Sequence, residues 1–73
     1  MADRQAIQLR TKMLGAVLRQ ARTAAGRTLK ETASMIGVSS AVLGSYERGS
    51  RGISLPELEL LSYQLQTPLH RFL

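Results

Sequence analysis

The sequence predicts an all-α domain of five short helices, and three observations favour this class. Residues that cap or end helices recur at short intervals along the 73-residue chain, with apolar residues at helical spacing between them. Hydrophobic residues make up 44% of the sequence but include one Phe, two Tyr and no Trp, so the core must be largely aliphatic. Cysteine is absent, so neither a disulfide nor a thiolate metal site can stabilise so small a domain.

The first helix is predicted over residues 9–25. Apolar residues recur there every three or four positions, and Gly26 follows as a helix-ending glycine. Residues 1–8 are predicted to form an N-terminal arm, with an early helical turn as the alternative, which leaves residues 9–73 as a single domain.

The second helix is predicted from a capping box. Thr28 caps the helix, and Glu31, three residues later, reaches back to the backbone of Thr28. The helix is expected to continue to Ile36, where Gly37 begins a turn.

The third helix is predicted over residues 39–48. Ser39 caps it and Gly49 ends it in the left-handed conformation. Gly44 lies in its middle, where glycine costs a helix roughly 1 kcal/mol relative to alanine. This position therefore needs an explanation.

Two further helices complete the prediction. Residues 54–57 (SLPE) form a second capping box with proline in the first turn, and the fourth helix is expected to end near Gln66. Residues 67–68 then cap a short fifth helix over residues 69–73.

The charge is basic and uneven. The net charge is +5, and residues 1–30 hold seven basic residues against one acidic residue, whereas residues 31–73 hold three against four. This balance is consistent with a polyanionic partner such as nucleic acid, but also with a solvated basic helix that serves only solubility. A basic helix lying on a membrane is disfavoured, because the capped helices beyond it indicate a packed globule.

Other function classes find little support in the sequence. No apolar run is long enough to cross a membrane, so a cytoplasmic protein is expected. His70 has no cysteine or second histidine as a co-ligand, and Glu57 and Glu59 diverge on a helix. We therefore expect no enzymatic activity, no metal, no cofactor and no small-molecule ligand in this domain.

The second and third helices, joined by a short turn around Gly37, are typical of a helix-turn-helix. The chain resembles the phage-repressor/Cro-like (XRE-type, lambda-repressor-like) helix-turn-helix domains of bacteria and phages. LGAVLRQARTAAG (14–26) is similar to the opening family motif, TLKETASMIGVSSAVLGSYERGSR (28–51) to the central motif, and SLPELELLSYQLQTPLHRFL (54–73) to the closing helices.

This resemblance implies a transcriptional regulator that binds double-stranded DNA sequence-specifically. Its recognition helix, at about residues 39–48, would enter the major groove, and the protein would act as a homodimer at least on DNA. The alternative is a protein-interaction module that keeps the fold but has lost DNA binding.

The resemblance, together with the capped helix ends, also assigns residues to these roles. The expected DNA-binding residues are Thr28, Leu29, Ser39, Ser40, Ala41, Gly44, Ser45, Arg48 and Arg51. Arg22 and Glu47 are expected to form a structural ion pair between the first and third helices.

Three residues depart from the family pattern: Leu29 replaces a phosphate-clamping Gln, Thr32 a common Leu, and Gly44 a frequent Ser. Our hypothesis for Gly44 is that it lies at the edge of the DNA-facing side, where the missing Cβ lets the helix approach DNA closely. The alternative is a functionally neutral glycine.

Overall fold

The structure is a computed structural model that describes residues 3–73. Within that range it contains four α-helices, one 3-10 helix and no strand: α1 (Arg4–Ala24), α2 (Leu29–Met35), α3 (Ser40–Arg48), α4 (Leu55–Gln64) and the 3-10 helix (Leu69–Phe72). The all-α prediction is confirmed. The count of five was wrong, because the last segment forms a single 3-10 turn and not an α-helix.

The first helix starts earlier than predicted. Asp3 caps α1 by accepting a hydrogen bond from the backbone N–H of Gln5 at 3.1 Å, so residues 4–8 are helical and form no separate arm. Met1 and Ala2, the rest of the predicted arm, lie outside the described residues. The apolar residues Ile7 and Leu9 are exposed on this part of α1, so no buried face marked it in the sequence.

The predicted caps of α2, α3 and α4 are present, whereas no side-chain hydrogen bond caps the 3-10 helix that residues 67–68 were expected to cap. Thr28 and Ser54 head complete capping boxes, and Ser39 accepts a hydrogen bond from the N–H of Val42 at 3.1 Å. Gly49 ends α3 with φ of 74°. The short loops therefore fix where each helix begins, which sets the orientation of α2 and α3.

The core lies where the four α-helices and the 3-10 helix meet. Its buried hydrophobic residues are Leu18, Ala21, Ala33, Ile36, Leu43, Tyr46, Leu58, Leu61, Leu65 and Phe72. Thr32 is only 1% exposed, and its hydroxyl donates to the carbonyl of Thr28 at 3.0 Å. The polar atom that replaces a leucine in the core is thus hydrogen-bonded.

A glycine sets the distance between α1 and α3. A Cβ built on Gly15 would lie 2.6 Å from the carbonyl oxygen of Glu47, closer than carbon and oxygen can approach. One built on Gly49 would lie 2.7 Å from Cγ of Lys12. The C-terminal end of α3 therefore packs directly on the backbone of α1.

Candidate nucleic-acid interface

The two sides of α3 have different environments. Leu43 and Tyr46 are buried against the core, whereas Ala41 is exposed and Ser40 and Ser45 are half-buried. The expected inward and outward positions of these residues match this arrangement. The outward side carries only short side chains before Arg48.

Ser45 is less available than the sequence indicates. Its hydroxyl donates to the carbonyl of Val42 at 2.6 Å, a bond inside α3. In this conformation the hydroxyl oxygen can still accept a hydrogen bond from a base. The hydroxyl proton is already donated to Val42 and cannot be donated to a base.

A shallow surface joins α3 to the loop that follows it. Its lining residues are Ala41, Val42, Ser45, Ser50 and Arg51. Three residues predicted to bind DNA, Ala41, Ser45 and Arg51, therefore share one face. The exposed Arg51 side chain gives this face a positive charge.

Gly44, expected near the boundary of the DNA-facing side, is buried. A Cβ built on it would lie 3.1 Å from a terminal nitrogen of Arg48 and 3.8 Å from Cδ2 of Leu29. These two side chains cover the glycine. Helical periodicity places Arg48 one turn beyond Gly44 on the same face but does not specify that its side chain folds back.

The caps of α2 and α3 use the side chains predicted to lie near phosphates. Thr28 accepts from the N–H of Glu31 at 3.0 Å, and its own N–H donates to Glu31 Oε1 at 2.9 Å. These bonds lower the pKa of the Glu31 carboxyl. Thr28 and Ser39 are exposed, and Leu29 is half-buried beside α3.

Arg22 and Glu47 form the salt bridge expected from the resemblance. Arg22 Nε donates to Glu47 Oε2 at 2.6 Å and Nη2 to Oε1 at 3.1 Å, with side chains 13% and 7% exposed. Nη1 donates to the carbonyl of Arg27 at 2.9 Å. Hydrogen bonding to Glu47 raises the pKa of Arg22. The pair fixes the end of α3 to α1 and to the loop before α2.

A second bond, which sequence reasoning missed, joins α3 to α4. The Tyr46 hydroxyl donates to the Glu57 carboxylate, 3.0 Å from Oε1, and Glu57 is also the capping residue bonded to Ser54. Burial raises the pKa of Glu57, but the hydrogen bonds from Ser54 and Tyr46 and the charge of Arg51 give a net lowering. The buried position of Tyr46 and the first-turn position of Glu57 were the available signals.

Other kinds of site find no support in the described part of the chain. Within residues 3–73, no three His, Cys, Asp or Glu side chains lie close enough together to hold a metal ion. Over the same range, no helix combines the length and apolarity needed to span a membrane.

Comparison with known proteins gives consistent matches. Residues 18–72 match the helix-turn-helix family. The restriction-modification controller protein C.AhdI from Aeromonas hydrophila is 27% identical with a TM-score of 0.83, over 90% of this chain and 96% of that chain. For the clp gene regulator ClgR from Corynebacterium glutamicum the identity is 32% and the TM-score 0.81, over 86% and 82% of the two chains. The DNA-binding domain of BldD is 34% identical with a TM-score of 0.74, over 86% and 92%. No curated protein matches the chain significantly.

Proposed function

We propose that this chain, which belongs to the XRE-type helix-turn-helix family of DNA-binding transcriptional regulators, binds double-stranded DNA with α3 in the major groove. The observation that carries this proposal is the outward side of α3, where Ala41, Ser45 and Arg51 line one surface. Short side chains there leave room for the helix to lie close to the base edges.

Phosphate contacts would hold α3 in the groove. Arg48 and Arg51 are exposed and make no salt bridge within residues 3–73, so their charges remain available for the DNA backbone. Ser39 and Ser40 lie at the N-terminus of α3, where backbone N–H groups and the helix dipole favour an anion. Thr28 and Leu29, at the start of α2, would flank the same backbone.

The fold holds α3 rigidly for this task. The Arg22–Glu47 salt bridge fixes its end to α1, and the Tyr46–Glu57 bond fixes it to α4. Since these contacts exist before DNA binds, little ordering of α3 remains to be done on binding.

We further propose that two copies bind one operator. Symmetric dimers of helix-turn-helix proteins place their recognition helices in major grooves about one helical turn, roughly 34 Å, apart. Two copies would double the small number of base contacts that one α3 can make.

A salt titration tests DNA binding directly. If about four to six cationic groups meet phosphates, the logarithm of the affinity for random duplex DNA should fall against log salt with a slope of roughly −4 to −5 per protomer. Fluorescence anisotropy of a labelled duplex measures this slope. Arg48→Ala or Arg51→Ala should each reduce its magnitude by about 1.

Arg71→Ala is the matched control. This exposed cation lines grooves that contain no residue of α3, so its removal should leave the slope unchanged. No binding at low salt, or a slope near zero, would contradict the proposal and favour the protein-interaction module.

A further inference from the structure

The proposed function does not explain why α3 has a glycine at position 44, beside Arg48. Gly44 is buried although it lies on a helix with an exposed side, and Arg48 and Leu29 cover it. A terminal nitrogen of Arg48 and Cδ2 of Leu29 both lie within 4 Å of the point where a Cβ on Gly44 would lie. The guanidinium therefore lies near the junction of α2 and α3.

Only glycine leaves full room for this arrangement. The 3.1 Å from a Cβ to the Arg48 nitrogen is shorter than ordinary van der Waals contact, so even alanine would displace the guanidinium slightly. A longer side chain at position 44 would occupy the space itself. Cζ of the Arg48 guanidinium also lies 4.0 Å from the Cβ position, so the planar end of the side chain covers the glycine.

The guanidinium remains free to bind an anion. Among residues 3–73 it donates no hydrogen bond and makes no salt bridge, so no contact in this range competes for its donors. Arginine presents these donors in a planar fork that matches a phosphate.

We propose that Gly44 is a positioning residue that holds Arg48 over the α2–α3 junction for contact with a phosphate of the DNA backbone. This inference rests on the proposed function. It replaces close approach of the helix backbone as the reason for glycine, because a buried Gly44 offers no exposed backbone to the groove. The missing side chain leaves space for the Arg48 guanidinium at this junction, so fewer alternative positions compete with phosphate contact when DNA binds.

A double-mutant cycle tests this coupling. Gly44→Leu fills the space with a side chain that has no donor or acceptor for DNA. It should weaken binding to a duplex by about threefold to tenfold, the range for one long side chain that must be ordered on binding. In an Arg48→Ala background the same substitution should have no further effect. Gly44→Ala should show a smaller loss with the same dependence on Arg48.

Arg51→Ala provides the matched background. Arg51 is also an exposed cation close to α3 but does not touch Gly44, so Gly44→Leu should keep its full effect there. Circular dichroism melting of each variant establishes that it is folded at the assay temperature. If Gly44→Leu fails this check, Gly44→Ala carries the test.

Two results would overturn the proposal while leaving DNA binding intact. An equal loss with and without Arg48 would show that the new side chain meets DNA directly. Unchanged affinity for Gly44→Leu would show that the glycine is functionally neutral. A wild-type protein that does not bind duplex DNA would instead overturn the proposed function and this inference with it.

Discussion

Glu47 is nearly buried, and both of its carboxylate oxygens accept hydrogen bonds from Arg22. The negative charge of Glu47 is therefore compensated by one side chain, that of Arg22. Removing one member of a buried pair leaves an uncompensated charge, which costs more than the intact pair contributes. At the scale of single residues, we therefore expect the stability of the domain to depend strongly on this pair.

Glu47→Ala should consequently lower the free energy of unfolding by about 3 kcal/mol, the lower end of the range for broken buried pairs, because Arg22 is partly exposed. Urea denaturation measures the change. Ser45→Ala is the control on the same helix, and its stability should change by less than about 1 kcal/mol while DNA binding alters. Equal losses for the two variants would mean that the inner and outer faces of α3 are misassigned.

Sequence reasoning succeeded where a role follows from position along a helix. Leu43 and Tyr46 were placed on the inner face by spacing, and the structure buries both. Spacing did not predict the burial of Gly44, because that burial comes from the side chain of Arg48 and from Leu29 of the neighbouring helix. Spacing identifies which residues share a face but does not fix the rotamer of a long side chain.

The contact between α1 and α3 depends on the absence of a side chain at Gly15. Two carbonyl groups of α3, at Tyr46 and Glu47, lie against this position, and neither can move without bending the helix. Replacing a helical glycine by alanine normally stabilises the helix by roughly 1 kcal/mol, because alanine has the higher helix propensity. Here steric overlap with backbone atoms should outweigh that gain.

Gly15→Ala should therefore destabilise the domain, with overpacking that costs typically 1–3 kcal/mol, or more where only backbone can move, partly offset by about 1 kcal/mol of propensity. Thermal melting should show a decrease of several degrees, since about 1 kcal/mol shifts Tm by roughly 4–8 °C in a domain of this size. Gly44→Ala is the matched control. Its neighbour is a flexible arginine, so Tm should hold or rise, and a rise for both variants would contradict the close packing at Gly15.

The bond between α3 and α4 makes stability depend on pH. The pKa of Glu57 in the folded state lies below its ordinary value. A lowered pKa gives stability that is complete above the unfolded-state pKa, about 4.3 for glutamate, and is lost as pH falls through the folded-state pKa. The Tyr46–Glu57 contact should therefore weaken in acid.

Glu57→Gln should reduce the loss of unfolding free energy between about pH 6 and about pH 2, because the amide does not titrate. Some loss should remain, since the pKa of Glu31 is also lowered. Urea midpoints across this pH series measure the effect. Glu59→Gln, an exposed change two residues along the same helix, is the control. Identical profiles for Glu57→Gln and the wild type would refute the assignment.

Most elements could be predicted because their ends are determined locally. The capping boxes at Thr28 and Ser54 and the left-handed glycine at 49 each specify a boundary with a few neighbouring residues. The start of α1 was missed because Asp3 caps a segment with no buried face. The Tyr46–Glu57 bond joins residues eleven apart, so it depends on how α3 and α4 pack, which spacing alone does not specify.

At the scale of the whole molecule, the chain carries a net charge of +5, but α3 has few side chains that can read base edges. Bidentate recognition of guanine or adenine needs Arg, Lys, Asn or Gln, and α3 has none before Arg48. Ser40 and Ala41 can give a single hydrogen bond or a methyl contact, and the Ser45 proton is engaged within the helix. If two copies bind one operator as proposed, DNA shape and the spacing of the copies would supply most of the discrimination.

We therefore expect changes of single base pairs in a selected operator to weaken binding by less than about 1 kcal/mol each, below the roughly 1–3 kcal/mol of a bidentate contact. Changing the separation of the half-sites by about five base pairs, half a helical turn, should weaken binding far more, because it rotates one half-site to the opposite side of the duplex. Anisotropy titrations on a matched duplex panel measure both effects.

Sequences with a narrow minor groove flanking the half-site should bind best, and Arg51→Ala should reduce that preference if Arg51 enters the groove. A single base pair worth more than about 2 kcal/mol would instead indicate a direct bidentate reader, and Arg48 is the side chain on α3 able to supply it.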